Sequence, residues 1–454
     1  MNKPLISILV PIFNVEEYLG QCLESLISQT LEDIEIICIN DGSTDKSLNI
    51  LKEYASKDNR IIVIDKHNTG YGNTMNIGLE RAKGEYIGIV ESDDFAEQEM
   101  FKSLYKVAND NQAEVVKSNY FAYKSTFGIE KKYIEMLEGC RYDCIFSTID
   151  EKNIFFTAAN IWTGIYKRSF LIENEIKFNE TPGASYQDIS FTFKILACAK
   201  RVYLMKDAFL NYRVDNMNSS VNSHGKIFCV CDEYHEIENF LEQNFAKKIE
   251  LNAVKFAMKY IAYKWNYRRL ASVFQYAFLM KMHEELKREY ENGLFESMYW
   301  TDVESKDLQC VLNDPNKYFK ETAKDYNDER LQLFSTLNVK LYTKGILDNI
   351  NQYKNIIIFG AGIIGQKVAK SFMNNEKDIY CFAVSDINKN PKSVLGIRVH
   401  CIEELTSYID RSVIVVAIKE KDQYEIIDKL RKLEFKNILS IDSFILNELS
   451  KEKI

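Results

Sequence analysis

Apolar runs of four to six residues recur through the first 120 positions, and polar, helix-periodic stretches separate them. Ile6–Val10, Ile34–Ile39, Ile61–Ile64 and Tyr86–Val90 read as short strands. The segments Val15–Ser28 and Asn73–Ala82 read as helices between them, and Asp41-Gly42-Ser43-Thr44-Asp45 reads as a turn that starts another. Short, wholly apolar strands alternating with helices predict a parallel sheet covered on both faces. From about 121 to 222 the rhythm is less regular. From about 225 to 345 the pattern is helical and rich in aromatics. At Lys354 the strand–helix alternation restarts, with strands at Asn355–Phe359, Ile379–Val384 and Ser412–Ile418 and a helix over Asp422–Leu433, and it runs to Ile441. The predicted organisation is an α/β domain over 1–222, a helical segment over 223–350 and a second α/β domain over 351–454.

Composition narrows the picture. With 454 residues the chain has room for two to four domains. A net charge of −8 argues against a nucleic-acid binder by bulk electrostatics. No run of 18 apolar residues is present, and the start, MNKPLISILVPIFN, runs straight into a strand pattern, so neither a membrane span nor a signal peptide is expected. The expected location is cytoplasmic. The ten cysteines are scattered, and Cys140/Cys144 and Cys229/Cys231 have no second pair or histidine at zinc spacing, so free thiols are expected.

Candidate chemistry gathers where the first strands end. Strand one leads into Pro11-Ile12-Phe13-Asn14, strand two into Asn40-Asp41-Gly42-Ser43, and the strand at 86–90 into Glu91-Ser92-Asp93-Asp94. In a parallel α/β sheet, polar ends of neighbouring strands meet in one crevice, the usual place for a nucleotide. Glu91 and Asp93 offer hard oxygen ligands that suit Mg²⁺ or Mn²⁺. The plainer alternative is a solvated loop in which Asp94 caps the next helix.

These residues resemble the family 2 glycosyltransferases of the GT-A fold. The resemblance covers roughly residues 4–222. It is carried by V-P-I-F-N at 10–14, N-D-G-S-T-D at 40–45, the run from Gly70 to Tyr86, E-S-D-D at 91–94, W-T-G-I-Y-K-R-S-F at 162–170 and Y-Q-D-I-S-F at 186–191. It implies an inverting transfer of a sugar from a nucleotide-diphosphate donor. Pro11, Phe13 and Asn14 would line the nucleoside pocket, and Asp41 would accept a hydrogen bond from the base, as expected for uracil. Asp93 matches the second acid of the family's D-x-D motif and would bind the metal. Glu91 matches the first, near the ribose or the metal's waters. Asp188 matches the catalytic base of the E-D motif. Two positions depart from the pattern: Glu91 is one methylene longer than Asp, and Gln187 replaces the Glu beside the base, removing a like charge that would raise its pKa.

Inverting transfer requires a base on the acceptor hydroxyl, a stabilised leaving diphosphate and in-line alignment. Asp188 fits the first as a general base, and also fits a plain acid in the first turn of the helix after it. Gly70-Tyr71-Gly72-Asn73 reads either as an anion-binding helix start or as a tight loop. Arg213 fits a phosphate partner or an ion pair, and His224 is a weak further metal candidate.

Residues 245–281 hold eight basic side chains against the single acid Glu250, with aromatics interleaved. This fits a core helix with a basic face, or a peripheral contact with a bilayer or a lipid-diphosphate-linked glycan. Gly360-Ala361-Gly362-Ile363-Ile364-Gly365 is a G-x-G-x-x-G in strand–turn–helix context, and Asp386 follows the next strand. It resembles the small Rossmann-like domains attached to sugar-modifying enzymes. Docking, homo-oligomerisation and ligand binding all remain open for it.

The sequence therefore predicts a metal-dependent transferase, using Mn²⁺ or Mg²⁺ and a nucleotide-sugar donor, most simply a UDP-sugar. Its acceptor would be a bacterial surface glycan or a lipid-linked glycan. The rivals are an NAD(P)-binding oxidoreductase centred on the glycine-rich turn and a non-catalytic assembly protein.

Overall fold

The computed structural model describes residues 3–125, 129–181, 183–184, 186–216, 227–270, 272–322 and 353–441, with positions 347, 350, 445, 446 and 449. By packing, the chain forms two units, residues 1–263 with 294–299 and residues 264–293 with 300–454.

The first unit is built on a mixed sheet. Strands β1 (Ile6–Ile12), β2 (Ile34–Asp41), β3 (Ile61–Lys66) and β4 (Tyr86–Ile89) run parallel in the order β3-β2-β1-β4. Every residue of β1 and β2 is buried, the signature of strands covered on both faces. The covering helices include α1 (Leu19–Ile27), α2 (Ser47–Lys57) and α3 (Tyr71–Arg81). On α1 the buried residues Leu19, Cys22, Leu23 and Leu26 recur at three- and four-residue spacing, so one stripe faces the sheet. The order reverses at β1, which opens a crevice at the carboxyl ends of β1 and β4.

Past β4 the sheet becomes mixed. The two-residue β5 (Phe95–Ala96) and helix α4 (Met100–Asn111) lead to β6 (Val115–Lys124) and its partner β7 (Glu130–Ile134). Then come the short β8 (Ile145–Phe146), β9 (Gly164–Lys167), α5 (Arg168–Glu173), α6 (Gln187–Cys198) and β10 (Val202–Arg213). β9 is antiparallel to both β4 and β6, and β10 is parallel to β6. The long strands β6 and β10 occupy stretches whose apolar rhythm is broken. The reason in β10 is a pair of register shifts between Leu204 and Leu210, which interrupt the alternation that marks a strand. Two helices, α7 (Cys229–Gln243) and α8 (Phe245–Arg269), follow.

The basic stretch is partly internal. Lys255 and Lys259 are buried, and Glu238 of α7 lies 3.8 and 2.9 Å from their Nζ atoms. Lys248 pairs with Glu242 at 2.6 Å. Within the second unit Lys264 meets Asp307 at 2.9 Å and Lys281 meets Glu285, one turn on in its own helix, at 3.1 Å. Part of the local excess of positive charge in sequence is thus matched in space by acids. No helix among the described residues is long and apolar enough to cross a membrane.

The second unit holds α9 (Ser272–Glu291), α10 (Asp302–Asn313), α11 (Pro315–Thr322) and a separate sheet. α10 starts at a capping box in which Thr301 and Glu304 satisfy each other's backbone N–H. The sheet comprises β11 (Asn355–Phe359), β12 (Ile379–Val384), β13 (Ser393–Val394), β14 (Ile397–Cys401), β15 (Ser412–Val416) and β16 (Ile438–Ser440), in the order β13-β14-β12-β11-β15-β16. All but β13 run parallel, which is the order of a doubly wound α/β sheet. Helices α12 (Ile363–Asn374) and α13 (Glu420–Lys432) complete it. In the glycine-rich turn, a Cβ on Gly365 would lie 1.8 Å from the Gly360 oxygen, so that glycine serves helix–strand packing. Asp386 spends its carboxylate on the Asn388 N–H (3.0 Å) and on Lys389 (3.4 Å).

One glycine tests the mixed half of the first sheet. A Cβ on Gly164 would stand 2.1 Å from the Val116 oxygen, so β9 and β6 approach too closely for any side chain there. Gly164→Ala is expected to cost about 1–3 kcal/mol through overpacking, read as a lower urea midpoint.

Candidate active site

Loops at the carboxyl ends of β1 and β2 are stitched together by short polar side chains. Asn14, in the left-handed region at φ 52°, takes the Thr44 N–H on its Oδ1 at 2.8 Å, and its own N–H donates to Ser43 Oγ at 3.0 Å. Asp45 accepts from the N–H groups of Glu16 (2.9 Å) and Ser47 (3.0 Å). Between these loops lies a pocket of about 260 Å³, lined by Phe13, Asn14, Tyr18, Asp45 and Asn216 among others. Phe13 is an apolar ring left 48% exposed at this rim. Pro11 and Asp41 are not among the lining residues. Pro11 is buried in β1, and Asp41 is buried at the end of β2, where it accepts from the N–H groups of Thr69 (2.8 Å) and Gly70 (3.1 Å) and pairs with Lys66. Its carboxylate fixes the loop that enters α3.

The acidic turn after β4 is held from β10. Asn216 donates its amide to Asp93 Oδ2 at 2.7 Å, so the pocket wall and the acidic turn share a residue. The Arg213 backbone N–H donates to Asp94 Oδ1 at 2.8 Å, and its guanidinium donates to the Asp93 carbonyl (3.0 Å), to Ser125 Oγ (3.1 Å) and to Gln21. The same guanidinium lies over the rings of Tyr18 and Tyr123. Arg213 is 4% exposed, and its donors brace the acidic turn from inside. His224 lies outside the described residues.

Burial and mutual repulsion load this turn with protons. Desolvation pushes the Glu91 carboxyl up to about 8; the Tyr71 hydroxyl, which donates to Glu91 Oε1 at 2.6 Å, opposes that, while the charges of Asp93 and Asp188 add to it. The extra methylene of Glu91 carries its carboxyl to this tyrosine. Asp94 is 1% exposed and its Oδ2 has no hydrogen-bond partner among the described residues; burial first, then Asp93, raises its pKa well above the ordinary value.

Asp188 stands in the first turn of α6, after Tyr186 at φ 61°. Burial pushes it up to about 6, against the stabilising N–H groups of its own residue and Ile189 and the field of Lys117. Its charge in turn acts on Glu91, Tyr71 and Glu233. The structure therefore brings Glu91, Asp93 and Asp188 into one electrostatic neighbourhood, with Phe13 and Asn14 at the adjoining pocket.

Three contributors escape motif reading. Gly72 admits the Asn179 carbonyl, which would lie 2.0 Å from a Cβ there, so the glycines opening α3 serve close approach to the chain ahead of Asp188. Asn76 exchanges hydrogen bonds with the Phe178 backbone (3.0 and 2.9 Å) and donates to Glu180 (2.9 Å). Gln187 is buried and donates its amide to Thr181 Oγ1 (2.9 Å) and to the Gly183 carbonyl (3.0 Å). A glutamate could not make those donations. Buried Asn and Gln at such positions are legible only from their partners, which lie on other elements.

The sequence profile of Glycosyl transferase family 2 matches residues 7–177. A glycosyltransferase of Haemophilus influenzae is 31% identical over 268 residues, 59% of this chain and 97% of its own length. The chain belongs to glycosyltransferase family 2. Glycosyltransferase GlyA of Streptococcus pneumoniae serotype 4 is 31% identical over 217 residues, 46% of this chain but only 30% of its own length. The chain thus spans less than a third of that relative. The crystal structure of residues 1–349 of S. aureus TarS with UDP-GlcNAc has a TM-score of 0.54 at 19% identity, over 71% of this chain and 92% of that one, and shares the fold. The sequence expectation of a GT-A α/β fold in this family is borne out.

Gln187→Glu offers a direct test of the amide's role. A carboxylate facing the Gly183 carbonyl, which can only accept, is expected to destabilise the protein by about 1–3 kcal/mol at pH 7. The new carboxyl would have a folded pKa above its unfolded value, so the loss should shrink as pH falls through that folded pKa. Urea unfolding at pH 7 and pH 5 reads both effects.

Proposed function

We propose that the first unit is an inverting transferase that moves a sugar from a nucleoside-diphosphate donor, a UDP-sugar, to a hydroxyl of a growing bacterial surface glycan, free or lipid-linked. The observation that carries this reading is the position of Asp188: a half-buried carboxylate in the same field as Glu91, whose turn is joined through Asp93 and Asn216 to a pocket with an exposed ring at its rim. Phe13 would lie against the base of the nucleotide, and Asn14 would hold the rim in place. UDP-GlcNAc in the similarly folded TarS makes UDP-sugars the first donors to try.

Asp188 would accept the proton of the acceptor hydroxyl as its oxygen bonds to the anomeric carbon. The bond from that carbon to the diphosphate oxygen breaks on the opposite side. One displacement with one base inverts the configuration. A pKa near 6 lets Asp188 act as a base at neutral pH while keeping it basic enough to draw the proton.

A divalent cation fits the donor set beside it. Asp93 and Glu91 are hard oxygen donors, and the buried Asp94 Oδ2, which has no hydrogen-bond partner among the described residues, is an unused oxygen in the same turn. Among the described residues no three His, Cys, Asp or Glu side chains form a metal cluster, so most ligands would come from water and phosphate. Such an ion, Mn²⁺ or Mg²⁺, would neutralise charge on the departing diphosphate. A location at the inner face of the cytoplasmic membrane belongs to this reading.

Three outcomes are expected. UDP with Mn²⁺ at 100 times its dissociation constant should stabilise the protein by about 2.7 kcal/mol in a thermal melt, and Asp93→Ala should abolish most of that gain. In a donor screen that reads released nucleoside diphosphate, Asp188→Asn should retain donor binding and lose transfer by a factor of about 10² or more. The wild-type rate should fall as pH drops through about 6, where Asp188 takes up its proton. Full transfer by Asp188→Asn would refute the assignment of the base.

A further inference from the structure

The first unit has a second cavity, away from the one beside Phe13. It measures about 590 Å³, within the range of about 300–1,000 Å³ in which small molecules are bound. Leu79 of α3, Ile87 of β4, Leu171 and Ile172 of α5 and Ile176 just after that helix give it an apolar wall. Ile87, Leu171 and Ile176 are buried, whereas Ile172 is 57% exposed. β9 runs antiparallel to β4 with Lys167 opposite Tyr86, so Arg168, the next residue, stands where β4 begins. That is the opposite end of the strand from the Glu91–Asp94 turn. The two cavities share no lining residue.

Arg168 also lines this cavity. Its Nε is enclosed and finds no acceptor among the described residues, while the side chain as a whole is only half-buried. No ion pair among the described residues uses its guanidinium. Other arginines of the unit are satisfied: Arg60 by Asp58 at 2.6 Å, and Arg201 by the carbonyls of Gln112 (3.0 Å) and Asn111 (2.6 Å). Two acids line the cavity as well. Glu80 pairs with Lys177 at 3.6 Å, and Glu175 is exposed to solvent, so Arg168 is left to itself. A guanidinium cannot shed its proton, and a desolvated N–H donor without an acceptor is a cost that a bound oxyanion relieves. Its planar fork fits carboxylates and phosphates. Free phosphate would leave the apolar wall bare, and a neutral hydrocarbon would leave the guanidinium unmet. A hydrocarbon chain with an anionic head answers both.

We infer that this cavity is a second binding site, which takes an anionic single-chain amphiphile: the alkyl chain lies against Leu79, Ile172 and Ile176, and the carboxylate or phosphate head pairs with Arg168. The inference stands apart from the reading of Asp188 as the general base, since it uses neither the acidic turn nor the cavity beside Phe13.

The test uses the full chain with ¹³C-labelled isoleucine δ1 methyls, titrated with decyl phosphate and with decanoate below their micelle-forming concentrations and followed by NMR and calorimetry. The methyls of Ile172 and Ile176, identified by their loss in Ile172→Val and Ile176→Val, should shift saturably with one or both ligands; the tighter of the two names the head group. Arg168→Gln should weaken that ligand about tenfold or more through loss of the charge-assisted pair. Arg168→Lys, which keeps the charge and loses the fork, should weaken it less, and serves as the variant to read where Arg168→Gln does not fold. Decanol should bind more weakly than the anions, and equally to wild type and Arg168→Gln. Inorganic phosphate alone should leave both methyls unmoved. Decanol as tight as the anions, inorganic phosphate as tight as decyl phosphate, an unchanged Kd in Arg168→Gln, or no shift of these two methyls up to about 1 mM ligand overturns the inference.

Discussion

Burying like charges together is costly, and the carboxyl end of the first sheet does so with Glu91, Asp94, Asp188 and Glu233, beside Asp93. The rest of the unit is arranged to make that tolerable. Arg213 ties the acidic turn to β10 through backbone and guanidinium bonds, Tyr71 donates to Glu91, and Ser190 and Asn179 donate to Glu233. Protonation absorbs what the hydrogen bonds do not, since burial pushes Glu91 and Glu233 each up to about 8. A cation entering such a site would have to displace those protons.

Close backbone approach is the second constraint. The strand pair β6 and β9 and the contact between α3 and the chain ahead of Asp188 each depend on a missing Cβ, at Gly164 and Gly72. Steric fit at two glycines thus holds the strands and the loop that lead into α6.

Much of this was legible in the sequence. The parallel strands from Ile6 to Ile89 stood out as short, predominantly apolar runs, and their polar ends marked Asn14, Asp41, Glu91 and Asp93. Helix starts were less visible: α1 begins at Leu19 because Val15–Tyr18 form a turn bonded to the next loop, and α3 begins at Tyr71 because Gly70 takes φ 91°. The roles of Arg213 and Gln187 could not be read, because each is decided by partners 4 to 192 positions away in the chain. The basic character of residues 245–281 fitted either a core helix with a basic face or a peripheral contact, and the burial of Lys255 and Lys259 became visible only with Glu238 beside them.

The amide that Asn216 gives to Asp93 joins two surfaces through one side chain. Asn216 also lines the pocket beside Phe13 and Asn14, so anything that moves this wall withdraws a donor from the acidic turn. The turn after β4 can therefore sense what happens in a pocket to which it contributes no lining residue.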